Sequence, residues 1–419
     1  MKIWTTIAGK DAGRIELRRA KNPVLSIALL ATIAFIASAS AQDRPVKVGI
    51  LNDQASVYSA ITGPGSVAAA RLAIEDMGGS LFGKPIELVS ADHGHKPDLG
   101  SAIARRWFDT EGVDAIFDIY SSGVALAVQG IAEQKNKLLV VSMASSRDIS
   151  GKSCSPNGMQ WANDGYEVAN LTIKGSSGDK PTSWFFLTVD YTAGHSIEGD
   201  AKKMIEKSGG KFVGAVRFPL NTPDFSSFLL QAQNSGAKDI GFIGGGADMT
   251  NAIKQAAEFG IERTGQRFVP FSLTTVDVES LGNQATQGMP LVLSYYWDAS
   301  DQTKAWAERF KKAFGKMPSD PQANVYSAVL HYLKSVKAAG TTDTAAVLAK
   351  MREMPVEDIF TSGAHIREDG RLMRDVYYAE VKKPGAMSGS TDLITLVKKM
   401  PGSEAFIPAS ESDCKLLKK

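Results

Sequence analysis

Two pairs of adjacent serines follow two apolar runs in the first half of the sequence. Ser121-Ser122 comes directly after the run at residues 113–120, and Ser145-Ser146 follows the run that begins at Leu138. In a parallel sheet the carboxyl ends of neighbouring strands open at the same edge, so the two serine turns are expected to face one crevice. Serine hydroxyls and free backbone N–H groups at a following helix start suit a small carboxylate. The stretch therefore predicts half of an anion-binding cleft.

Other chemistry-bearing patterns are weaker. The run Gly63-Pro-Gly-Ser-Val-Ala formally matches a dinucleotide fingerprint, but it lies well beyond the preceding strand end, so a loop and a helix start are expected instead. Gly244 to Asp248 does follow a strand directly, and its glycines favour a close approach to the backbone at a crevice edge. His93 and His95 lack further ligands to complete a metal site, so we expect surface histidines. No Gly-x-Ser-x-Gly elbow is present. The patterns favour binding over catalysis, without a metal or cofactor.

Aromatic residues recur where predicted strands end or where the two halves of the chain meet. Small-molecule pockets combine apolar walls with a few polar anchors, so five rings in equivalent positions favour a cleft with aromatic walls. These residues are Tyr58, Tyr120, Trp161, Tyr191 and Phe271.

The elements that would position these residues alternate between strands and helices. A chain of 419 residues is longer than a single hydrophobic core usually supports, so two domains are expected. The composition, with 43% apolar and 22% charged residues, is typical of a globular protein. The alternation predicts an α/β fold with a doubly wound parallel sheet, and it restarts after a Gly/Ser/Pro-rich bend at 151–158 to give a second, similar lobe. The first lobe is predicted to have strands at 46–51, 86–91, 113–119 and 138–142; the second has strands at 184–189, 211–218, 239–243 and 267–272.

The last third of the chain is predicted to be mostly helical, at 303–314, 321–339 and 344–354, before a β-like finish at 375–381. Three exposed helices could not bury their apolar faces alone, so we expect them to return to the first lobe. The expected domains are 44–160 plus 291–365 for lobe 1, and 161–290 plus 366–419 for lobe 2.

The first 41 residues have the pattern of a secretory signal peptide. Six basic residues lie between residues 2 and 21, and an apolar run follows at 24–37. Ala39-Ser-Ala then forms a small-x-small cleavage site before Gln42. The run is shorter than the ~20 residues of a membrane-spanning helix. Removing this segment changes the formal charge from +2 to −2, because it holds six basic and two acidic residues. A near-neutral exported chain is not expected to bind nucleic acid or an anionic membrane.

The sequence contains two cysteines, Cys154 and Cys414. In an exported protein an even pair suggests a disulfide, which here would tie the C-terminal tail to the middle of the chain. Two unrelated buried thiols are the alternative.

These patterns together resemble the periplasmic solute-binding proteins of leucine-isoleucine-valine type that serve ABC transporters. The resemblance spans residues 45–380 and depends on the order and spacing of several short motifs. They are Val46-Lys-Val-Gly-Ile-Leu, Ala73-Ile-Glu-Asp-Met-Gly-Gly-Ser-Leu-Phe-Gly-Lys-Pro-Ile-Glu-Leu, Tyr120-Ser-Ser-Gly, Met143-Ala-Ser-Ser, Asp190-Tyr-Thr-Ala-Gly and Asp224-Phe-Ser-Ser-Phe.

The resemblance implies a type I periplasmic binding protein with two lobes, three crossovers and hinge closure on the ligand. It implies a periplasmic receptor, not an enzyme, that delivers a small carboxylate to an inner-membrane permease; we expect a monomer. Ser121 resembles the family's carboxylate-binding serine, and Ser145 and Ser146 resemble its second carboxylate-binding turn. Tyr58 resembles a ring that covers the ligand, and Tyr191 resembles a tyrosine of the cleft. The segments that hold an ammonium group in the family match Gly245 to Asp248 and Ser272.

The sequence departs from the amino-acid binders on the second lobe. They place a carboxylate near Ser272 and usually a tyrosine near Gly245, and this sequence has neither. A buried ammonium without a counter-charge costs several kcal/mol, so an amino-acid ligand would need another acid, for which Asp248 is the nearest candidate. We therefore expect an aromatic or other organic acid, stacked on Tyr58, Tyr120 or Trp161, with a branched-chain or other amino acid as the alternative. An exported hydrolase and a ligand-sensing regulator are the competing functions of other classes.

Overall fold

The structure is a computed structural model that describes residues 44–161, 163–177 and 180–417. The predicted signal peptide and its cleavage site lie outside the described residues. The main strands are β1 (Lys47–Asn52), β2 (Ser80–Leu81), β3 (Lys84–Pro85), β4 (Glu87–Asp92), β5 (Ala115–Asp118), β6 (Leu138–Val141), β7 (Gly158–Gln160), β8 (Ser183–Val189), β9 (Lys211–Phe218), β10 (Asp239–Ile243), β11 (Arg267–Pro270), β12 (Pro290–Leu293), β13 (His365–Ile366), β14 (Leu372–Met373), β15 (Val376–Val381) and β16 (Ile394–Met400).

Helices alternate with these strands through most of the chain. None of the described helices is both long enough and apolar enough to span a bilayer. They are α1 (Gly63–Asp76), α2 (Pro97–Asp109), α3 (Ser122–Gln134), α4 (Gly165–Ser177), α5 (Thr192–Lys207), α6 (Ser226–Asn234), α7 (Gly246–Phe259), α8 (Thr275–Leu281), α9 (Asn283–Thr286), α10 (Asp301–Phe314), α11 (Asp320–Ala339), α12 (Thr344–Glu353) and α13 (Gly402–Ala405).

The first sheet is parallel and has the strand order β4-β1-β5-β6-β7. Strands β5 and β6 are buried along their whole length, as expected for parallel strands covered on both faces. Helices α1 and α11 pack on one face around Phe117 and Val140, and α2 and α3 pack on the other around Ile116 and Leu139. The sheet is therefore doubly wound, as predicted.

The second sheet is also parallel, with the order β11-β10-β8-β9. Helices α4 and α5 cover the face that carries Phe186, and α6 and α7 cover the face that carries Leu187 and Phe242. A third, antiparallel sheet β12-β15-β16 packs beside it and shares its core through Leu291. Two parallel sheets with helices on both faces confirm the predicted α/β class.

The chain connects the elements packed on the first sheet with those packed on the second at three places. The connections run from β7 to α4, from β12 to α10 and from β14 to β15. Helices α10 and α11 contribute Trp306, Phe310 and Val329 to the core of the first sheet, so the late helical stretch does pack there. The exact lobe boundaries given above stay a prediction.

Several elements were not expected from the sequence, among them the strands β7 and β16, the helix α4 and the shortest strands and helices. Strand β7 has only three residues and lies at the end of the segment interpreted as a bend, where pairing with β6 supplies its backbone partners. Helix α4 ends in Gly175-Ser-Ser, and its length is defined by packing against α5 rather than by a strong helix pattern. Tertiary contacts, rather than local sequence, account for both elements.

The predicted disulfide is present. Cys154 and Cys414 are bonded, with their Cα atoms 5.6 Å apart and a sequence separation of 260. Both residues are buried. The bridge attaches the segment that follows α13 to the loop before β7.

Candidate ligand-binding cleft

A cavity lies where the carboxyl ends of strands from both parallel sheets meet. The loops after β1, β5 and β6 form one side, and the loops after β8, β10 and β11 form the other. This is the edge at which α/β sheets generally bind ligands. The wall consists of Tyr58, Tyr120 and Ser145 on the first side and of Val189, Tyr191, Ala193, Gly194, Ile197, Ile243, Gly244, Gly245 and Ser272 on the second.

An adjoining cavity shares Tyr120, Ser145 and Ser272 with the first and extends towards Phe271 and Asp320. The space open to the centre of a water-sized sphere is only about 20 Å³ in the first cavity and about 10 Å³ in the second. A single water needs ~10–15 Å³ by this measure, so the cleft is closed around little free volume. We call the two cavities together the cleft.

Three tyrosine rings form the aromatic wall that the sequence predicts. The Tyr58 and Tyr120 ring centroids are 4.5 Å apart, and the Tyr58 hydroxyl lies 2.8 Å from the hydroxyl of Tyr191. Burial raises the pKa of Tyr58 well above its ordinary value and that of Tyr191 to about 12. The three phenols are therefore neutral hydrogen-bonding groups at physiological pH.

The two serine pairs do meet, as their positions after adjacent strands predict. The Ser122 hydroxyl accepts a hydrogen bond from the backbone N–H of Ser146 at 3.1 Å. Ser121 is the N-cap residue of α3 and is 2% exposed. Ser145 lines both cavities, whereas Ser121, Ser122 and Ser146 lie behind its wall. The prediction that all four contact a ligand stays untested.

Two helix N-termini open directly onto the cleft. Tyr191 is the N-cap of α5 and Gly245 is the N-cap of α7, both without a side-chain capping bond, and both line the first cavity. The first cavity has no charged side chain among its lining residues. At the start of α7 the backbone N–H of Ala247 donates to the Val57 oxygen at 3.3 Å. The other N–H groups of the two first turns and the positive ends of the two helix dipoles make the site suitable for a small anion.

The glycines after β10 allow the loops of the two sheets to touch. A Cβ atom at Gly246 would lie 2.2 Å from the backbone oxygen of Val57, and Gly246 has a φ of +60°. A Cβ atom at Gly245 would lie 3.5 Å from both Tyr58 Cε1 and Tyr120 Oη. The predicted close approach to the backbone is confirmed, and the segment that approaches is the chain's own Tyr58 loop.

The expectation of surface histidines is wrong for His93, whereas His95 is half-buried. His93 is fully buried, and its Nδ1 accepts a hydrogen bond from the backbone N–H of His95 at 3.0 Å. Burial lowers the pKa of His93 to about 4. The His95 ring centroid lies 5.5 Å from that of Tyr58 and 5.3 Å from that of Tyr191. The loop after β4 ends at the same sheet edge as the cleft, and the tyrosines cover it.

Metal binding finds no support around these histidines. Within the part of the chain that the structure describes, no three His, Cys, Asp or Glu side chains are grouped closely enough to hold an ion. His95 instead extends the aromatic wall from behind.

Asp248, the nearest expected partner for an ammonium group, does not line the cleft. It is 1% exposed, and its Oδ2 accepts a hydrogen bond from the backbone N–H of Asn221 at 3.0 Å. Burial raises its pKa to about 6. Its carboxylate holds a loop of the second sheet.

The structure supplies a carboxylate near Ser272 that sequence reasoning missed. Asp320 lines the adjoining cavity, and its Oδ1 accepts bonds from the backbone N–H of Ser294 at 3.1 Å and from the Ser294 hydroxyl at 2.5 Å. Its buried Oδ2 has no hydrogen-bond partner among the described residues. The capping pattern Ser319-Asp-Pro-Gln marks the start of α11 in the sequence, but only the fold brings it to the cleft.

Trp161 lies in the core of the first sheet instead of the cleft. Its Nε1 donates to the hydroxyl of Ser327 at 2.9 Å, and its ring packs against His331 at 5.5 Å. The extra strand β7, which ends at residue 160, carries Trp161 under α11. Phe271 does reach the adjoining cavity, where it packs against Phe186 at 5.5 Å.

Comparison with solved structures places this arrangement among known folds. A periplasmic binding protein from Burkholderia mallei is 38% identical, with a TM-score of 0.86, over 89% of this chain and 99% of that one. A branched-chain amino acid ABC transporter periplasmic ligand-binding protein from Burkholderia xenovorans LB400 is 40% identical, with a TM-score of 0.80, over 89% and 100% of the two chains. A solute-binding protein of an ABC transporter from R. palustris, solved in complex with benzoate, shares the fold at 20% identity, with a TM-score of 0.78 over 89% and 100%.

The sequence model of one protein family covers most of the described chain. It matches residues 45–386, which include both parallel sheets and the three connections between them. Together with the two relatives near 40% identity, this match identifies the fold as the type I periplasmic binding fold. The chain belongs to the periplasmic binding protein family.

Proposed function

We propose that the protein is the exported receptor of an ABC transporter, which captures a small carboxylate in the cleft and delivers it to an inner-membrane permease. The preferred ligand is an aromatic or other organic acid. One observation carries this proposal: the cleft combines tyrosine walls with two helix N-termini that lack side-chain caps, and its first cavity has no charged side chain. Such a site suits a carboxylate attached to a ring.

The energetics of such a site are sufficient without any catalytic group. Charge-assisted hydrogen bonds contribute ~1.5–3 kcal/mol each, and a micromolar dissociation constant corresponds to about 8 kcal/mol. Two or three bonds to backbone N–H groups or to Ser145, together with one buried ring against Tyr58 and Tyr120, account for that affinity. The protein thus acts by binding, in the periplasm, as a monomer without a cofactor.

Because the cleft is closed, the ligand must bind first to a more open conformation of the protein. The free space near Ser145 is far below the volume of a benzoate-sized molecule. In this proposal the parts built on the two sheets, bounded as predicted at 44–160 plus 291–365 and 161–290 plus 366–419, move apart about the three connections. Closure then brings Tyr58 and Tyr191 back together over the ligand.

A second candidate ligand is a branched-chain or other amino acid. Asp320 favours it, because its unpartnered Oδ2 lies at the adjoining cavity and could pair with an ammonium group. The Burkholderia xenovorans relative, described as a branched-chain amino acid binding protein, points in the same direction. The two candidates differ in whether the ligand carries an amine.

A thermal-shift screen of the mature protein separates the two candidates. Benzoate and cinnamate are compared with leucine and valine, because a ligand selective for the folded state raises the melting temperature. Stabilisation by the aromatic acids supports the preferred ligand; stabilisation by the amino acids alone replaces it with the second candidate.

A cleft variant locates the binding. Ser145→Trp fills both cavities and is expected to abolish the ligand-induced shift. Ser227→Trp, on the exposed surface of α6, is the matched control and should keep it. A ligand-induced shift that survives Ser145→Trp would remove the cleft from the proposal.

A further inference from the structure

A second, larger cavity lies at the connections between the two parallel sheets. It is bounded by the segment after β12, by residues 358–362 and by the segment around β15. The space open to the centre of a water-sized sphere is about 260 Å³, compared with about 20 Å³ in the first cavity of the cleft. A cavity of ~150 Å³ holds a benzene molecule. This hinge cavity shares no lining residue with the cleft.

Four aromatic rings line the hinge cavity. Tyr295 and Phe360 pack edge to face with their centroids 5.1 Å apart, while Tyr296 and Tyr377 contribute further rings. The two sheets supply rings to one site, since Tyr295 belongs to the core of the first sheet and Tyr296 to that of the second. The rings provide apolar walls for a single planar ring.

A buried guanidinium also lines this cavity. Arg374 is 6% exposed and lies over the Phe360 ring, with its Cζ 5.3 Å from the ring centroid. Its hydrogen bonds go to the amide oxygen of Asn324 and, at 3.4 Å, to the hydroxyl of Thr361. Both partners are neutral. A buried cation is stabilised most by a directly bonded anion, and guanidinium binds carboxylates in a two-pronged geometry.

The carboxylates nearest to Arg374 are engaged elsewhere. Asp358 Oδ1 accepts the backbone N–H groups of Phe360 at 2.9 Å and Thr361 at 2.8 Å, and its Oδ2 accepts the hydroxyl of Ser327. Asp320 bonds to Ser294 through its Oδ1, and its buried Oδ2 has no hydrogen-bond partner among the described residues. Within residues 44–417, as far as they are described, no carboxylate forms an ion pair with Arg374 within 4 Å. The cavity therefore offers a cation without a directly bonded anion.

We propose that the hinge cavity is a second binding site for a small carboxylate on a single ring. The carboxylate bonds to Arg374, and the ring packs against the aromatic wall that Tyr295, Phe360 and Tyr377 form. Lys399 and Asp375 both lie at the rim, where they form an ion pair at 2.9 Å, so Arg374 supplies the charge that the carboxylate meets. This site does not depend on the identity of the cleft ligand.

The location gives the second site a consequence for the cleft. Two of the three connections between the sheets, from β12 to α10 and from β14 to β15, contribute to its wall. An occupant must therefore move with these connections or oppose their movement. Binding in the hinge cavity is expected to change the affinity of the cleft, and the change is reciprocal.

The test titrates the mature protein with 4-fluorobenzoate and follows bound probe by fluorine NMR. The starting variant is Gly245→Trp, which places a large ring against Tyr58 and Tyr120 and blocks the cleft. One saturable site is expected to remain. Adding Ser362→Trp, at the exposed rim of the hinge cavity, should abolish it, whereas Thr395→Trp on exposed β16 should leave it unchanged.

A charge variant completes the design. Arg374→Gln in the blocked protein should weaken the site at least tenfold, and a circular dichroism melt establishes whether this buried substitution folds. If it does not fold, Ser362→Trp alone decides the outcome. The absence of saturable binding in Gly245→Trp, or binding that is indifferent to Ser362→Trp, overturns the proposal. Neither outcome bears on Ser145→Trp, which tests the cleft independently.

Discussion

The hydroxyl of Tyr58 lies 2.8 Å from the hydroxyl of Tyr191, and this contact joins the loop after β1 to the loop after β8. The two tyrosines follow strands of different parallel sheets, so the proposed opening of the cleft would break this bond. It is reinforced by the backbone approach at Gly246 and by the ring of His95 behind both tyrosines. The tyrosine pair thus reports the state of the cleft.

Removing this contact is expected to favour the open state. Tyr191→Phe deletes one hydroxyl and one hydrogen bond, for which the net loss is about 0.5–1.5 kcal/mol. The unliganded protein should become measurably more expanded in small-angle X-ray scattering. Tyr58→Phe should have a similar effect, and the double variant should add little, because both substitutions remove the same bond. Tyr326→Phe is the control, because the Tyr326 hydroxyl bonds to Asp76 at the end of α1, away from the cleft. Equal scattering from the parent and all four variants would contradict the prediction.

A side chain at Gly246 should interfere with closure more than one at another left-handed glycine. Gly246→Ala places a Cβ atom 2.2 Å from the Val57 oxygen, at a φ of +60°. Gly236→Ala has a similar φ of +65° with nothing within 4 Å. Both variants carry backbone strain of about 1 kcal/mol or more, but only the first should lose ligand affinity. Calorimetric titration measures the difference. Equal losses of affinity would show that the contact with Val57 does not matter.

The stability of the protein should fall in acid through His93. Burial lowers its pKa to about 4, from an ordinary value of 6.5. The unfolded chain therefore binds a proton before the folded protein does, and the stabilisation present above pH 6.5 is lost as the pH falls towards about 4. By the usual conversion the effect is at most about 3 kcal/mol. His93→Asn keeps an acceptor for the His95 N–H and should flatten the acid limb of a urea-unfolding series.

The control for that series is a histidine on the surface. His365→Asn replaces an exposed side chain and should leave the acid limb as in the parent protein. His331, whose pKa is likewise lowered to about 4 by burial, should contribute independently when replaced. An unchanged slope between pH 6.5 and 4 in His93→Asn would contradict the assignment.

Loss of the disulfide should destabilise the protein without altering the cleft. Cys154 and Cys414 enclose a long loop, and removing such a native bridge typically costs about 2–4 kcal/mol. The double Cys→Ser variant should melt at a lower temperature than the oxidised parent and at about the same temperature as the reduced parent. Ligand affinity should stay unchanged because neither cysteine lines the cleft. A marked loss of affinity in a folded variant would contradict this.

The sequence indicates those parts of the fold that depend on local pattern. An apolar run such as the one that contains Phe117 predicts a strand, because both faces of that strand are buried. The two serine pairs meet because they follow the ends of adjacent strands. The sequence predicts Trp161 at the cleft, and this is wrong because the three residues of β7 are too few to show a strand pattern. Asp320 reaches the cleft, and His95 reaches the back of its tyrosine wall, through contacts that are distant in sequence. The local sequence pattern marks neither residue.

The path of the chain between the two bridged cysteines dictates an order of events. Every strand from β8 to β16 lies between Cys154 and Cys414. Since synthesis proceeds from the amino terminus, the Cys154 thiol has no partner until the second and third sheets have been made. A thiol-blocking reagent applied during this interval would permanently prevent the bridge. The oxidised pair is therefore a covalent marker of chains whose later sheets have already emerged.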